Sequence, residues 1–200
     1  MRPVGTGFRL ETERLILRDW QGEADWAAFF RHTNTPAVMR WLGGQLDEDG
    51  QARTRQRLPL VAEEHGHCLW FVERKADGGH LAGEALGFCG LKRANMTGGP
   101  MGDFEVGWRL REDAWGRGYA REAAAASLKT GFEAFAAPHI IALTVAENTA
   151  SWGLMERLGM HRRPELDFYC PDMLPDKLTI AYSIDRAEWE AARLAEEGFA

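Results

Sequence analysis

The sequence has little cysteine and no long apolar run, and these two absences exclude several classes of protein. Its three cysteines, Cys68, Cys89 and Cys170, lie far apart and form no CxxC pair, so they indicate neither a disulfide framework nor a zinc site. The most apolar stretches, residues 123–126 and 140–146, are far too short to span a bilayer. We therefore expect a protein of a reducing compartment with no membrane partner.

The sequence also has fewer basic than acidic residues, 24 Lys and Arg against 30 Asp and Glu. The net charge is −6 and the isoelectric point is near 5.6, which argues against a nucleic-acid binder held by phosphate contacts. A mildly acidic surface suits a cationic ligand such as an amine, although ordinary solubility charge is the better explanation of the net charge taken alone. No apolar stretch follows Arg2, so we expect no signal peptide and a cytoplasmic location.

The 200 residues are enough for one domain, and no repeat or low-complexity linker divides them. Hydrophobic residues make up 45% of the chain, enough for a full core, and we expect a single domain over residues 1–200. Periodicity predicts helices near 25–32, 49–64, 120–135, 150–158 and 185–197, and strands near 14–18, 68–73, 85–93, 102–110, 139–145 and 178–184. Gly98-Gly99-Pro100 predicts a turn between strands.

The stretch from Glu105 to Glu122 contains the clearest functional pattern. It predicts a strand, then a loop with Gly116 and Gly118, then a long helix. Glycines let backbone N–H groups converge on a ligand, and a helix N-terminus favours an anion, so the pattern is typical of a phosphate site. A Walker A loop and a GxGxxG fingerprint are both absent, and a plain glycine turn that begins a helix is the alternative.

The surroundings of this loop carry a resemblance. Trp115-Gly-Arg-Gly-Tyr-Ala120 resembles the pyrophosphate loop of the GNAT family of N-acetyltransferases, and its RimJ/RimL-like branch in particular. Trp115 stands where the wider family has Gln or Arg. Downstream, Asn148-Thr-Ala-Ser151 and Leu154-Met-Glu-Arg-Leu-Gly-Met160 resemble the NxxSxxLYEKxGF segment of the same family. The alternative for this second segment is a capped helix that Gly159 ends.

This resemblance implies an α+β fold of mixed α/β layers, in which helices flank a mostly antiparallel sheet and a C-terminal helix follows. It also implies an acetyl-CoA-dependent N-acetyltransferase whose acceptor is a small amine or a protein N-terminus. A catalytically inactive acyl-CoA-binding sensor or scaffold is the alternative. The cofactor-binding candidates are Leu110, Trp115, Gly116, Arg117, Gly118, Tyr119, Ala120, Arg121, Asn148 and Ser151.

The chemistry needs a proton acceptor, because α-amines and lysines have pKa values of about 8 and 10.4 and are largely protonated at neutral pH. Glu105 is the candidate base, acting through a water molecule; an edge or solvent-facing strand residue is the alternative. Much of the family has a Tyr as the leaving-group acid, and here Met155 occupies that position. Ser151 is therefore the candidate acid, with Tyr119 and Tyr169 as further options.

Other motifs carry less information. Arg117, Arg121 and Arg157 are candidates to reach a second phosphate, although such an arginine is more often a solvated surface residue, so they rank below the glycines. Trp20, Trp41 and Trp70 are candidates to line an acceptor pocket, and core packing is their alternative. His65-Gly66-His67 lacks a third ligand at a familiar spacing, so we predict no metal site. The sequence leaves open both the acceptor and a homodimer.

Overall fold

The computed structural model describes residues 7–197, and the first six residues, on which the expectation of no signal peptide rests, lie outside this range. Within it, a mostly antiparallel sheet combines with helices that include a C-terminal one, as predicted. The strands are β1 (Arg9–Glu11), β2 (Leu15–Arg18), β3 (Leu69–Arg74), β4 (Ala85–Asn95), β5 (Met101–Leu110), β6 (His139–Val145), β7 (His161–Arg162), β8 (Phe168–Tyr169) and β9 (Leu178–Asp185). The helices are α1 (Gly22–Thr33), α2 (Pro36–Met39), α3 (Glu48–His65), α4 (Tyr119–Ala134), α5 (Thr149–Arg157) and α6 (Arg186–Glu197).

The strand order is β1-β2-β3-β4-β5-β6-β9-β7, and β8 also pairs with β9. The pair β5–β6 is parallel, because the connection between these strands is the crossover helix α4. The described chain forms two compact units. Unit 1 contains the described residues up to Lys92 and Gly107–Ser127, and unit 2 contains Arg93–Val106 and the described residues from Leu128 onward.

Unit 1 has an aromatic core. Trp26, Phe29 and Phe30 are spaced by three and four residues on α1, so they share one face of the helix, and they pack with Leu58, Leu69 and Phe71. An ion pair closes this face at its N-terminal end, where the Arg18 guanidinium donates to both oxygens of Asp25 at 2.6 and 2.9 Å. Strand β2, next to this pair, is buried along its whole length.

Unit 2 is organised around β6 and β9, which pair antiparallel over seven positions from His139↔Asp185 to Val145↔Thr179. Trp189 of α6 stacks on Phe132, with ring centroids 5.0 Å apart, and this contact holds the C-terminal helix. Gly99 lies in the predicted turn before β5. A Cβ at this position would stand 2.5 Å from the Phe168 ring, so any larger residue here would force the ring to shift.

The long elements agree with the predictions to within a few residues. Four short elements, β1, α2, β7 and β8, were not predicted. Pro59 lies inside α3, although proline disfavours the interior of a helix. Its side chain is exposed, so the ring occupies the solvent side of the helix. Among residues 7–197, no helix combines the length and apolar character that a bilayer crossing needs.

Candidate active site

The predicted phosphate loop lies in unit 1, directly after β5. Leu110 is buried at the end of the strand, and a short 3₁₀ turn follows at Glu112–Ala114. Trp115 comes next, with 49% of its surface exposed. Its indole Nε1 donates to the Leu110 carbonyl at 3.0 Å, so the indole ties the loop back to the end of the strand.

Gly116, Arg117 and Gly118 form the exposed part of the loop. Both glycines have a positive φ, +69° and +80°, which side chains with a Cβ rarely adopt. A Cβ on Gly116 would meet nothing within 4 Å, whereas a Cβ on Gly118 would stand 3.3 Å from an Arg14 Nη2. The loop therefore faces open space at Gly116, as a loop that receives a ligand requires, whereas Arg14 lies against it at Gly118.

Helix α4 begins at Tyr119, with Ala120 and Arg121 in its first turn. The first N–H groups of a helix have no partner within it, and the helix dipole adds partial positive charge at this end. The exposed side chains of Arg117 and Arg121 add full charges. These residues fit a pyrophosphate, because open amide donors, a helix N-terminus and two cations occur in one short segment.

Arg14 braces this loop, a role that the sequence did not reveal. Its Nη1 donates to the Arg117 carbonyl at 3.0 Å, and its Nε donates to Glu122 Oε2 at 2.7 Å. The Thr12 hydroxyl and the Arg14 backbone N–H donate to the other Glu122 oxygen at 2.6 and 2.7 Å. Burial opposes ionisation of Glu122, but these hydrogen bonds outweigh it and leave the pKa of Glu122 below its ordinary value.

The Tyr119 side chain has a structural position. It is buried, and its hydroxyl accepts from Arg74 Nε at 3.2 Å and donates to the His80 carbonyl at 3.0 Å. The Arg14 guanidinium lies over its ring at 4.6 Å. A hydroxyl with both a donor and an acceptor partner is poorly placed to act as an acid, so the structure favours a structural role for this side chain.

Glu105 lies on the part of β5 that belongs to unit 2, where it is opposite Ile141 of the parallel strand β6. Only 6% of its surface is exposed. The alternative of a solvent-facing residue is therefore wrong. A carboxylate this deeply buried is unusual unless other groups stabilise it or chemistry needs it.

Asn148 and Ser151 come together at the start of α5, also in unit 2. Asn148 occupies the N-cap position but makes no side-chain capping bond. Its Nδ2 instead donates to Thr144 Oγ1 at 3.0 Å, and its carbonyl accepts from the Ser151 N–H at 3.0 Å. Capping alone therefore does not explain Asn148. Gly159 ends the segment with a φ of +80°, as predicted, and Met155 is buried.

The three candidate pocket tryptophans have different surroundings. Trp70 is fully buried and stacks on Phe8 at 4.1 Å, which is core packing. Trp20 stacks on Trp26 at 3.8 Å and donates to a backbone carbonyl. Trp41 is half-buried and lies under the Arg40 guanidinium. In the part of the chain that the structure describes, no group of three or more His, Cys, Asp or Glu is arranged to hold a metal ion.

Comparison with known proteins identifies the class. The profile of the acetyltransferase (GNAT) domain matches residues 14–161, which contain the loop, Glu105, Asn148 and Ser151. The chain therefore belongs to the GNAT family, whose acetyltransferases use acetyl-CoA and act on amine acceptors.

Individual relatives agree with this assignment. The chain is 30% identical to YkkB of Bacillus subtilis (strain 168) over 76% of this chain and 85% of the relative. It is 26% identical to the N-acetyltransferase YnaD of the same organism, over 78% and 84% of the two chains. A crystal structure of an acetyltransferase from Agrobacterium tumefaciens str. C58 superposes with a TM-score of 0.70 at 28% identity, and the match covers 87% of this chain and 93% of that one.

Proposed function

We propose that this chain is an acetyl-CoA-dependent N-acetyltransferase of the RimJ/RimL-like branch, which acetylates a primary amine by direct attack in a ternary complex. The acceptor is a small amine or a protein N-terminal α-amine. The observation that supports this best is the exposed Gly116–Gly118 loop before α4, whose two glycines have a positive φ. Arg14 and Glu122 hold it in a conformation that suits a pyrophosphate.

The proposed cofactor-binding residues form two groups. Backbone amides between Gly116 and Arg121 hold the pyrophosphate, and Leu110 and Trp115 fix the loop to the end of β5. Asn148, whose side chain does not cap α5, holds the pantetheine arm beside Ser151. Acetyl-CoA supplies an acetyl group that is activated as a thioester.

Glu105 is the proposed general base. As the amine nitrogen bonds to the acetyl carbon, its proton passes to Glu105, directly or through one water, and the carbon–sulfur bond breaks. Deep burial of Glu105 supports this role, because a positioned carboxylate away from bulk water is an effective proton acceptor. Ser151 is the proposed donor to the departing sulfur, because the buried thioether of Met155 has no proton to give.

Cysteine chemistry supports direct attack. Burial raises the pKa of the Cys68 and Cys89 thiols to about 12, so neither is a thiolate at neutral pH. An acetylated cysteine at either position is therefore disfavoured. The cytoplasmic location, the single domain and the absence of nucleic-acid and metal partners stay predictions, and the question of a homodimer stays open.

The proposal is tested by following the release of free thiol from acetyl-CoA. The acceptors offered are short peptides with free N-termini, polyamines and aminoglycosides. We expect turnover on one acceptor class, and Glu105→Gln to lower kcat by about 100-fold, within the range for general acid–base catalysis. Acetyl-CoA affinity should not change. Asp103→Asn removes the same charge two residues earlier in β5 and is the matched control.

Gly118→Trp tests the cofactor loop, with Gly78→Trp as its control. Gly78 has a similar φ of +79° and also lies in an exposed turn, although, unlike Gly118, it has no atom within 4 Å of its Cβ position. We expect only Gly118→Trp to abolish acetyl-CoA binding. A folded, fully active Gly118→Trp protein would refute the loop assignment. Acetyl-CoA binding without turnover on any class would favour the sensor, the alternative that Met155 suggests.

A further inference from the structure

Arg109 is a buried cation in unit 1. It lies on β5 with only 8% of its surface exposed. Its guanidinium carbon is 4.4 Å from the centre of the Phe29 ring and 5.1 Å from that of Phe88. Two aromatic faces attract a cation, but they provide no oxygen that accepts its N–H groups.

The hydrogen bonds of Arg109 are poor for a buried guanidinium. Its Nη1 donates to the thioether sulfur of Met39 at 3.0 Å, and sulfur is a weak acceptor. Its Nε is buried and has no hydrogen-bond partner. The three other buried arginines of the described chain, Arg18, Arg74 and Arg111, each form an ion pair with an aspartate. Arg109 is therefore the exception among residues 7–197.

A second positive charge nearby makes the burial of the Arg109 charge still less favourable. Burial, with the positive charge of Arg57 as a second cause, lowers the pKa of Arg109 to about 10. The guanidinium is still charged at neutral pH, and the charged neighbour that affects it is another cation. Buried charges in proteins are normally paired. The arginine fork matches a carboxylate, which can accept two parallel hydrogen bonds, and here Nε has no acceptor and Nη1 only a sulfur.

We propose that Arg109 binds a carboxylate of the acceptor, so that the substrate is an amine that also carries a carboxylate group. This inference rests on the proposed N-acetyltransferase function, because it names the class of acceptor for that reaction. Met39 is the last residue of the short helix α2. Its unbranched side chain has three rotatable bonds, so it can move aside. A carboxylate oxygen can then replace its sulfur as the acceptor of the Arg109 Nη1 hydrogen bond.

Matched pairs of acceptors test this proposal. A graded series of ω-amino acids, from short to long, is compared with the ω-amino carboxamides of the same length. A hydrogen bond between charged groups is roughly twice as strong as its neutral counterpart. We therefore expect kcat/KM of the wild type to be about 10- to 100-fold higher for the best acid than for its amide.

Variants then assign the preference to one residue. Arg109→Met replaces the guanidinium by an apolar chain that can still pack on the two phenylalanine rings, and it should reduce the acid-to-amide ratio to about 1. Arg109→Lys keeps a charge but loses the fork, and should give an intermediate ratio. Arg93→Met is the matched control, since Arg93 also lies over a ring, that of Phe104 at 3.6 Å, and the wild-type ratio should remain.

A binding measurement separates this proposal from the proposed function. Thermal unfolding of the wild type and Arg109→Met is followed with CoA and either the acid or the amide. A rise in Tm with the acid, seen in the wild type and lost in Arg109→Met, supports the carboxylate site even if no acceptor is acetylated. Turnover with equal kcat/KM for acid and amide would leave the acetyltransferase intact and overturn the carboxylate site. An increase in KM for acetyl-CoA as the sole effect of Arg109→Met would also overturn it, because Arg109 would then serve the coenzyme.

Discussion

The brace behind the phosphate loop depends on one carboxylate, Glu122. It accepts from Thr12 Oγ1 at 2.6 Å, from the Arg14 N–H at 2.7 Å and from Arg14 Nε at 2.7 Å. Glu122→Gln keeps the shape but removes the charge, and it turns an amide N–H₂ group toward one of these donors. The brace should weaken, and with it the hold of Arg14 on the Arg117 carbonyl.

The size of the loss follows from the bonds. A hydrogen bond to a charged group contributes about 1.5–3 kcal/mol, and a neutral one about 0.5–1.5 kcal/mol. With three bonds affected, and with Arg14 one-third exposed to solvent and so screened, we expect a loss of about 1–3 kcal/mol. At about 3 °C per kcal/mol for a chain of this size, Tm should fall by about 3–9 °C.

Acidification gives a second readout. The pKa of folded Glu122 lies below its ordinary value of 4.5, so its stabilisation is complete at neutral pH and is lost as the pH falls through the folded pKa. The difference in free energy of unfolding between the wild type and Glu122→Gln should therefore shrink below pH 4.5. Urea unfolding at several pH values measures it.

Glu133→Gln is the control for this experiment. Glu133 lies on the same helix and pairs with Arg193 at 2.7 Å, but both side chains are at least 40% exposed. An exposed pair contributes little, so this variant should lose less than about 0.5 kcal/mol. Equal stability of Glu122→Gln and the wild type at neutral pH, or a difference that does not change with pH, would refute the reasoning.

Three further substitutions have definite expected outcomes. Gly118→Ala adds a Cβ at a φ of +80°, 3.3 Å from a guanidinium nitrogen, and should lower stability by about 1 kcal/mol and raise KM for acetyl-CoA in a thiol-release assay. Asp25→Ala removes the two-oxygen partner of the buried Arg18 and leaves the 3.2 Å contact with Glu73 as its remaining ion pair, so the free energy of unfolding in urea should fall by about 1–3 kcal/mol; an unchanged midpoint would contradict this. Gly99→Ala places a Cβ 2.5 Å from the Phe168 ring, and calorimetry should record a loss of about 1–3 kcal/mol.

Local sequence predicted the elements that have a strong period of their own. Strand β6 has the predicted bounds, His139–Val145, and α4 begins at Tyr119, one residue before its predicted start. The elements that were missed, β1, α2, β7 and β8, have two to four residues. Segments this short have no readable period, and the strands among them form because a partner strand satisfies their backbone groups.

The candidate site likewise has a part that local sequence predicts and a part that depends on contacts between distant residues. Its loop is a contiguous segment, so glycine spacing and the helix that follows predicted it. The brace joins Arg14 to Glu122, 108 positions apart, and no local pattern contains such a contact. Polar and apolar residues alternate along β5, and Arg109 stands at one of the polar positions. It is nevertheless buried between rings from α1 and β4. Only the tertiary structure could reveal that a charge on this strand faces aromatic residues.

The replacement of the family's tyrosine by Met155 is compatible with catalysis because the two proton transfers are not equally demanding. A thiol has a pKa of about 8.5, so the departing thiolate is a tolerable anion, whereas an α-amine or lysine acceptor must lose a proton with a pKa of about 8 or 10.4 before or during attack. An acid at the sulfur therefore accelerates the reaction less than a base at the nitrogen. It follows that Ser151→Ala should lower kcat by a smaller factor than Glu105→Gln, and the reverse order would mean that release of the sulfur, not deprotonation of the amine, limits turnover.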